Sequence, residues 1–180
     1  MSVMPRDHEW TVDDLVGTPD DGMRYELVDG VLLVSAAPSN AHQIVVGELH
    51  VRLRAACPPE ARVMLAPTAY EPWRRRSLQP DLLVSWRTDV GARPISAPLL
   101  LAVEVLSPST RSVDLLLKRG VYAESGVGAY WVVDPLEPSV QAWRLVEGDW
   151  VDAGRASGSD VLRLEHPFPI QIVPADLLDL

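Results

Sequence analysis

Cysteine, lysine and long apolar runs are what this sequence has least of. A single cysteine, Cys57, excludes an intramolecular disulfide framework and any cysteine-rich metal site. No stretch approaches the roughly 18 apolar residues that a membrane-spanning helix needs, so no membrane partner is expected. The opening residues Met1-Ser-Val-Met-Pro-Arg-Asp-His-Glu9 lack the hydrophobic core of a signal peptide, which predicts a cytoplasmic protein. Basic charge is scarce as well. Sixteen Lys and Arg stand against 25 Asp and Glu, for a net charge of −9 and a pI near 4.8. That balance excludes a surface that coats nucleic acid generally, though not a local basic rim around an acidic site. Lys118 is the only lysine; the other fifteen basic residues are arginine. Codon usage can produce such a bias, but a position that keeps lysine against it is also a candidate for work that needs a compact, deprotonatable ammonium.

What is present fits one globular unit. The 180 residues, 47% hydrophobic and 23% charged, suffice for a single well-buried domain over residues 1–180 and not for two. Sixteen prolines predict many short elements. Thr11 can cap a short helix carrying Asp13 and Asp14 in its first turn. Tyr25 to Val34 reads as an N-terminal hairpin turning at Asp29-Gly30. A helix from about Ala41 to Ala55, capped by Ser39 or Asn40, has an apolar side in Ile44, Val45, Val46, Leu49, Val51 and Leu53. Short strands follow at 62–66, 68–71 and 80–85, with Trp73-Arg-Arg-Arg-Ser77 as a basic loop between them. Further strands are expected at 99–106, 129–134 and 140–146, the last pairing with 150–152, and late edge strands at 161–164 and 170–173. A final helical turn is expected from Pro174. A helix from about Thr110 to Ser125 joins two apolar strands in a βαβ-like unit, so the predicted fold is α/β (α+β) with a mixed central sheet.

The chain is organised around Leu99-Leu-Leu-Ala-Val-Glu-Val-Leu-Ser-Pro-Ser-Thr110. Glu104 interrupts an otherwise aliphatic strand, and a lone buried carboxylate costs several kcal/mol unless it is paired, protonated or bound to a cation. Ser107-Pro108 stops the strand, and Ser109 or Thr110 can cap the helix that carries Lys118. Asp81 opens the preceding strand. If the two strands are neighbours, Asp81 and Glu104 converge and offer oxygen ligands to Mg²⁺ or Mn²⁺. Lys118, folded back by the helix, then suits metal-assisted phosphodiester hydrolysis by orienting water or neutralising developing charge.

Arg24-Tyr-Glu-Leu-Val-Asp-Gly30, the helix near His42, Pro80-Asp-Leu82, Glu104-Val-Leu-Ser-Pro-Ser-Thr110, Lys118 with Tyr122, and Gly126-Val-Gly-Ala-Tyr-Trp-Val-Val-Asp-Pro135 together resemble the Uma2 family. That is a domain family of restriction-endonuclease type within the PD-(D/E)XK nuclease superfamily. The resemblance covers nearly the whole chain in order. It implies a restriction-endonuclease-like core, a mixed central sheet flanked by helices around a divalent metal. Asp81 and Glu104 are the implied metal ligands, with the backbone carbonyl of Val105 as a third. The chain departs from the common pattern at Leu106, where the superfamily lysine usually stands. The resemblance implies that Lys118 takes its place from the following helix.

Each candidate also has a plainer reading. Glu104 could be a buried ion pair with an arginine, Asp81 a turn cap, and Lys118 a solvated helix residue. Glu26 is either a third acid near the metal or a partner for Arg24. His42 either shapes the pocket or makes a local hydrogen bond, and Tyr122, one turn beyond Lys118, is expected to hold it in place. Arg74, Arg75 and Arg76 either grip phosphates beside a stacking Trp73 or pair with surface acids. The preferred function is a Mg²⁺-dependent endonuclease acting on nucleic acid, DNA before RNA, as a homodimer, since so small a chain has little surface to hold both strands. The alternative is a nuclease-like fold that binds without turnover, which the acidic pI and Leu106 favour.

Overall fold

The computed structural model describes residues 2–4, 9–91, 93–107 and 113–178. Ser109 and Thr110, expected to cap the Lys118 helix, lie outside them.

Two sheets carry the fold. The first begins with β1 (Ser2–Met4), β2 (Arg24–Val28) and β3 (Val31–Ser35). β2 and β3 form the expected hairpin, in register from Arg24↔Ser35 to Val28↔Val31. Asp29 and Gly30 turn it with φ of 48° and 84°, the two positive values that a tight two-residue hairpin turn demands. β5 (Tyr70–Trp73) and β6 (Arg76–Leu78) complete the sheet in the order β1-β3-β2-β6-β5. The stretch expected as a basic loop is therefore a hairpin, with Arg74 and Arg75 at its turn and Arg76 opening β6.

The second sheet runs β11-β10-β9-β8-β7-β4. Its strands are β4 (Ala61–Leu65), β7 (Leu82–Trp86), β8 (Leu101–Val105), β9 (Ala129–Asp134), β10 (Ser139–Val146) and β11 (Asp149–Ser157). β8 and β9 are parallel and their other neighbours antiparallel, so the sheet is mixed, as expected of a strand–helix–strand unit. The late edge strands, β12 (Leu162–Leu164) and β13 (Ile170–Ile172), pair with each other. A 3₁₀ turn follows at Pro174–Leu177.

Helices cover the six-stranded sheet on both faces. After the single turn α1 (Val12–Leu15), the long helix α2 (Asn40–Ala56) is capped by Ser39, whose side chain accepts the His42 N–H at 3.3 Å. Its buried stripe is His42, Val45, Val46, Leu49 and Leu53, the spacing of one helical face. Val51, expected on that face, is exposed. The stripe packs on Leu82, Val84, Leu101, Val103 and Val105. The opposite face, with Leu83, Ala102, Leu106 and Val132, meets Val121 and Tyr122. These two belong to α3 (Arg119–Glu124), which continues a wider π-helical stretch, Val113–Lys118. Period-two alternation then explains β8. Leu101, Val103 and Val105 face α2, while Ala102 and Glu104 face α3. Every residue of β8 is buried, so Glu104 must find its partners inside.

Candidate active site

β7 pairs with β8 as Leu82↔Val103, Leu83↔Ala102 and Val84↔Leu101. Asp81 immediately precedes β7 and Glu104 follows the last paired residue of β8, so both carboxylates come to the end of this ladder. Asp81 is 3% exposed and Glu104 1%. Where the backbone ladder ends, the Val105 N–H donates to Asp81 Oδ2 at 2.8 Å. A side-chain carboxylate thus replaces the missing carbonyl of the next ladder rung.

Glu104 is held by Lys118 and Tyr122. Its Oε1 accepts from Lys118 Nζ at 3.1 Å and from Tyr122 Oη at 2.7 Å. Lys118 Nζ also lies 3.0 Å from Glu26 Oε2, and Glu26 Oε1 accepts the Gln79 N–H at 2.9 Å. The only lysine, 1% exposed, therefore sits between a carboxylate of each sheet, Glu26 from β2 and Glu104 from β8. The solvated-lysine reading does not hold. Tyr122 is held well above the ordinary phenol range by burial first, then by the charges of Glu104 and Glu26. It is a fixed donor to Glu104.

Asp81 is gripped from the other side. Arg24 Nη2 lies 3.0 Å from Oδ1, and His42 Nε2 lies 3.0 Å from Oδ2. Burial would raise the Asp81 carboxyl. The His42 hydrogen bond, the Arg24 charge and the Val105 N–H outweigh it and hold the group below its ordinary 3.8. Arg24, for its part, is raised: burial opposes its charge, but Asp81, Glu26 and Glu104 more than compensate. His42 Nδ1 is buried and has no hydrogen-bond partner among the described residues.

Glu26, His42, Asp81, Glu104, Val105 and Lys118 line one cavity of about 210 Å³, together with Arg24 and the segment Ser35 to Ser39. Among the described residues, three carboxylates there face Arg24 and Lys118. Among the described residues, no three His, Cys, Asp or Glu side chains form a metal cage by themselves. Two carboxylates and a carbonyl do fit a hard cation such as Mg²⁺, which keeps several waters and takes the rest of its ligands from phosphate. The donor chemistry fits the group.

The residues expected at the site are thus brought together, with Tyr122 behind Glu104. The arginine cluster is elsewhere. Arg74 pairs with Asp13 at 2.7 Å and Arg75 with Glu9 at 2.8 Å, both exposed. Arg76 is corrected from a surface contact to a buried brace. It is 4% exposed, bonded to Asp29 at 2.5 Å and to Glu124, with its guanidinium 4.3 Å above the Trp73 ring. The sequence marks Arg24 only as an alternative partner for Glu26, not as a grip on Asp81, and does not mark Gln79. Arg24 is one arginine among fifteen, and only its place two residues before Glu26, on the same face of β2, could have flagged it for the site.

Fold and site together define a class, a restriction-endonuclease-like domain with a carboxylate–lysine cluster at the strand ends of a mixed sheet. Comparison with solved structures agrees on the fold. A protein from Anabaena variabilis ATCC 29413, described as "a putative nuclease belonging to DUF820", superposes with a TM-score of 0.69 at 17% identity, covering 94% of this chain and 97% of that one. The Uma2 family, described as "Putative restriction endonuclease", matches residues 7–178, and the chain belongs to that family. No curated protein matches it. Among the described residues, no helix is long and apolar enough to cross a membrane.

Proposed function

We propose that this protein is a Mg²⁺- or Mn²⁺-dependent endonuclease that hydrolyses phosphodiester bonds of nucleic acid, DNA in preference to RNA, in the cytoplasm. The observation that carries the reading is Lys118, buried between Glu26 and Glu104 beside an ionised Asp81 on one cavity. Asp81, Glu104 and the Val105 carbonyl, on the same edge of the strand as the N–H that Asp81 accepts, would hold the ion. Bound there, the ion supplies Lewis-acid polarisation of the phosphate and a water of lowered pKa.

The side chains do the rest. Tyr122 and Lys118 fix the Glu104 carboxylate by donating to one oxygen. The Lys118 ammonium would orient the attacking water and offset charge gathering on the phosphate. Glu26 and the Gln79 N–H keep that ammonium in place. His42 holds Asp81 in its rotamer. A homodimer would set two such sites against the two strands of a duplex.

Cleavage of a DNA duplex in Mg²⁺ tests this reading, with Glu104→Gln as the variant and circular dichroism to check folding. A folded Glu104→Gln should lose about 10²-fold or more of the wild-type rate. Equal rates in the two would remove Glu104 from the chemistry. The observation that favours the non-catalytic alternative is the hold of Arg24 and His42 on both oxygens of Asp81. Absence of cleavage by the wild type, with duplex binding retained, would support it.

A further inference from the structure

Asp81 is needed as a metal ligand in the function proposed above, yet in this structure its carboxylate already serves three donors. Arg24 Nη2 takes Oδ1 at 3.0 Å, while His42 Nε2 and the Val105 N–H take Oδ2 at 3.0 and 2.8 Å. A dication placed on Asp81 would sit beside the Arg24 guanidinium, and like charges that close repel in a buried site. Metal entry and the Arg24 contact therefore compete for the same oxygen.

Arg24 is also the donor best able to leave. Its grip on Asp81 is made by one nitrogen. The other, Nη1, reaches the Gln79 carbonyl at 3.3 Å, so the two-pronged guanidinium fork is not satisfied by Asp81 alone. Its side chain is 22% exposed, against 6% for His42 and 4% for Asp81. It lines the 210 Å³ cavity and also an adjoining one of about 160 Å³ bounded by Gln43, Val46 and Leu65, which gives it room to move. A phosphodiester offers two non-bridging oxygens at a spacing that a guanidinium binds with both prongs.

The geometry points to Arg24 as a relay between nucleic-acid binding and metal loading: in the free protein it holds Asp81, and on binding it transfers its guanidinium to a backbone phosphate and releases an Asp81 oxygen to the ion. This inference rests on the proposed metal site at Asp81 and Glu104. It makes the two ligands mutually supporting, and linkage requires the effect to be equal in both directions. The protein would then hold its ion tightly only when substrate is present.

Mn²⁺ binding, read from the loss of the free-ion electron paramagnetic resonance signal, tests the relay without reference to turnover. The second probe is a phosphorothioate DNA duplex, which keeps the backbone charge and resists hydrolysis. Wild-type Mn²⁺ affinity should rise about tenfold when the duplex is added. Arg24→Gln should bind Mn²⁺ about tenfold more tightly than wild type without duplex, and gain little from it. Arg24→Lys keeps a cation on Asp81 but loses the fork, and carries the test if Arg24→Gln does not fold. It should bind Mn²⁺ as weakly as wild type without duplex and show a reduced gain with it. Wild-type binding that Asp81→Asn abolishes, combined with duplex-free Mn²⁺ affinity in Arg24→Gln no higher than wild type's or an unreduced duplex gain in Arg24→Lys, overturns the relay and leaves the metal site standing. Mn²⁺ binding that is absent in the wild type under both conditions, or that survives Asp81→Asn, overturns the metal site and the relay with it.

Discussion

Lys118 holds two buried carboxylates apart, and its loss should be felt by the whole protein. Lys118→Met leaves Glu26 and Glu104 facing each other without their shared counter-ion, and breaking a buried pair in this way costs about 3–5 kcal/mol. Urea unfolding near neutral pH should report that loss. Tyr122→Phe removes a single hydrogen bond to a buried charge and should cost less, about 1.5–3 kcal/mol. Tyr70 gives a separate test away from the cavity. Its hydroxyl donates to the Ser125 carbonyl, and burial pushes it up to about 12 from an ordinary 10.0. A folded value above the unfolded one means that the fold prefers the neutral phenol. The stability it brings is complete below pH 10 and is lost as pH rises through about 12. Tyr70→Phe should flatten that alkaline decline in a series of thermal unfolding curves. At this scale the sequence was legible where a residue broke its own pattern, as Glu104 did in an aliphatic strand and Lys118 did among arginines. Arg24 broke no pattern, because its role depends on β6 and Gln79 being brought beside β2 from more than fifty positions away.

Elements were legible wherever the local rule was strong. Asp29-Gly30 announced a hairpin, and the apolar spacing of 42–53 announced α2. His42 could have been placed inside by that same spacing, three residues before Val45 and seven before Leu49 on the buried stripe. Short strands set by tertiary pairing carried no such signal. β1 and β6, of three residues each, are shorter than any periodicity can reveal, and Arg76 in β6 reads as loop until Asp29 and Glu124 are seen around it. Its burial separates it from its two neighbours in a measurable way. Arg76→Ala should lower the thermal midpoint clearly, since it removes a buried guanidinium that braces the β2–β3 turn against α3. Arg74→Ala, an exposed pair, should change stability by less than about 1 kcal/mol. Equal effects from the two would contradict the distinction. Ser39→Ala should cost about 1 kcal/mol by removing the cap of α2, and with it some of the precision with which His42 meets Asp81.

For the molecule as a whole, the register of β7 against β8 is what turns two carboxylates 23 positions apart in sequence into one site. That register could be expected as adjacency but not counted out, because nothing in the sequence states where pairing begins. The net charge of −9 places the burden of any nucleic-acid contact on local groups such as Arg24 and Lys118. Long-range repulsion between protein and nucleic acid would oppose approach rather than assist it. The central claim is that Asp81 and Glu104 hold a divalent ion. Titration calorimetry of Mg²⁺ into the wild type and into Asp81→Ala with Glu104→Ala, each with and without DNA duplex, tests it most directly. Binding by the wild type in the presence of duplex that vanishes in the double variant is the predicted result. Heat that is identical in the two proteins, or absent from both, would contradict the claim and leave the carboxylates as a structural cluster.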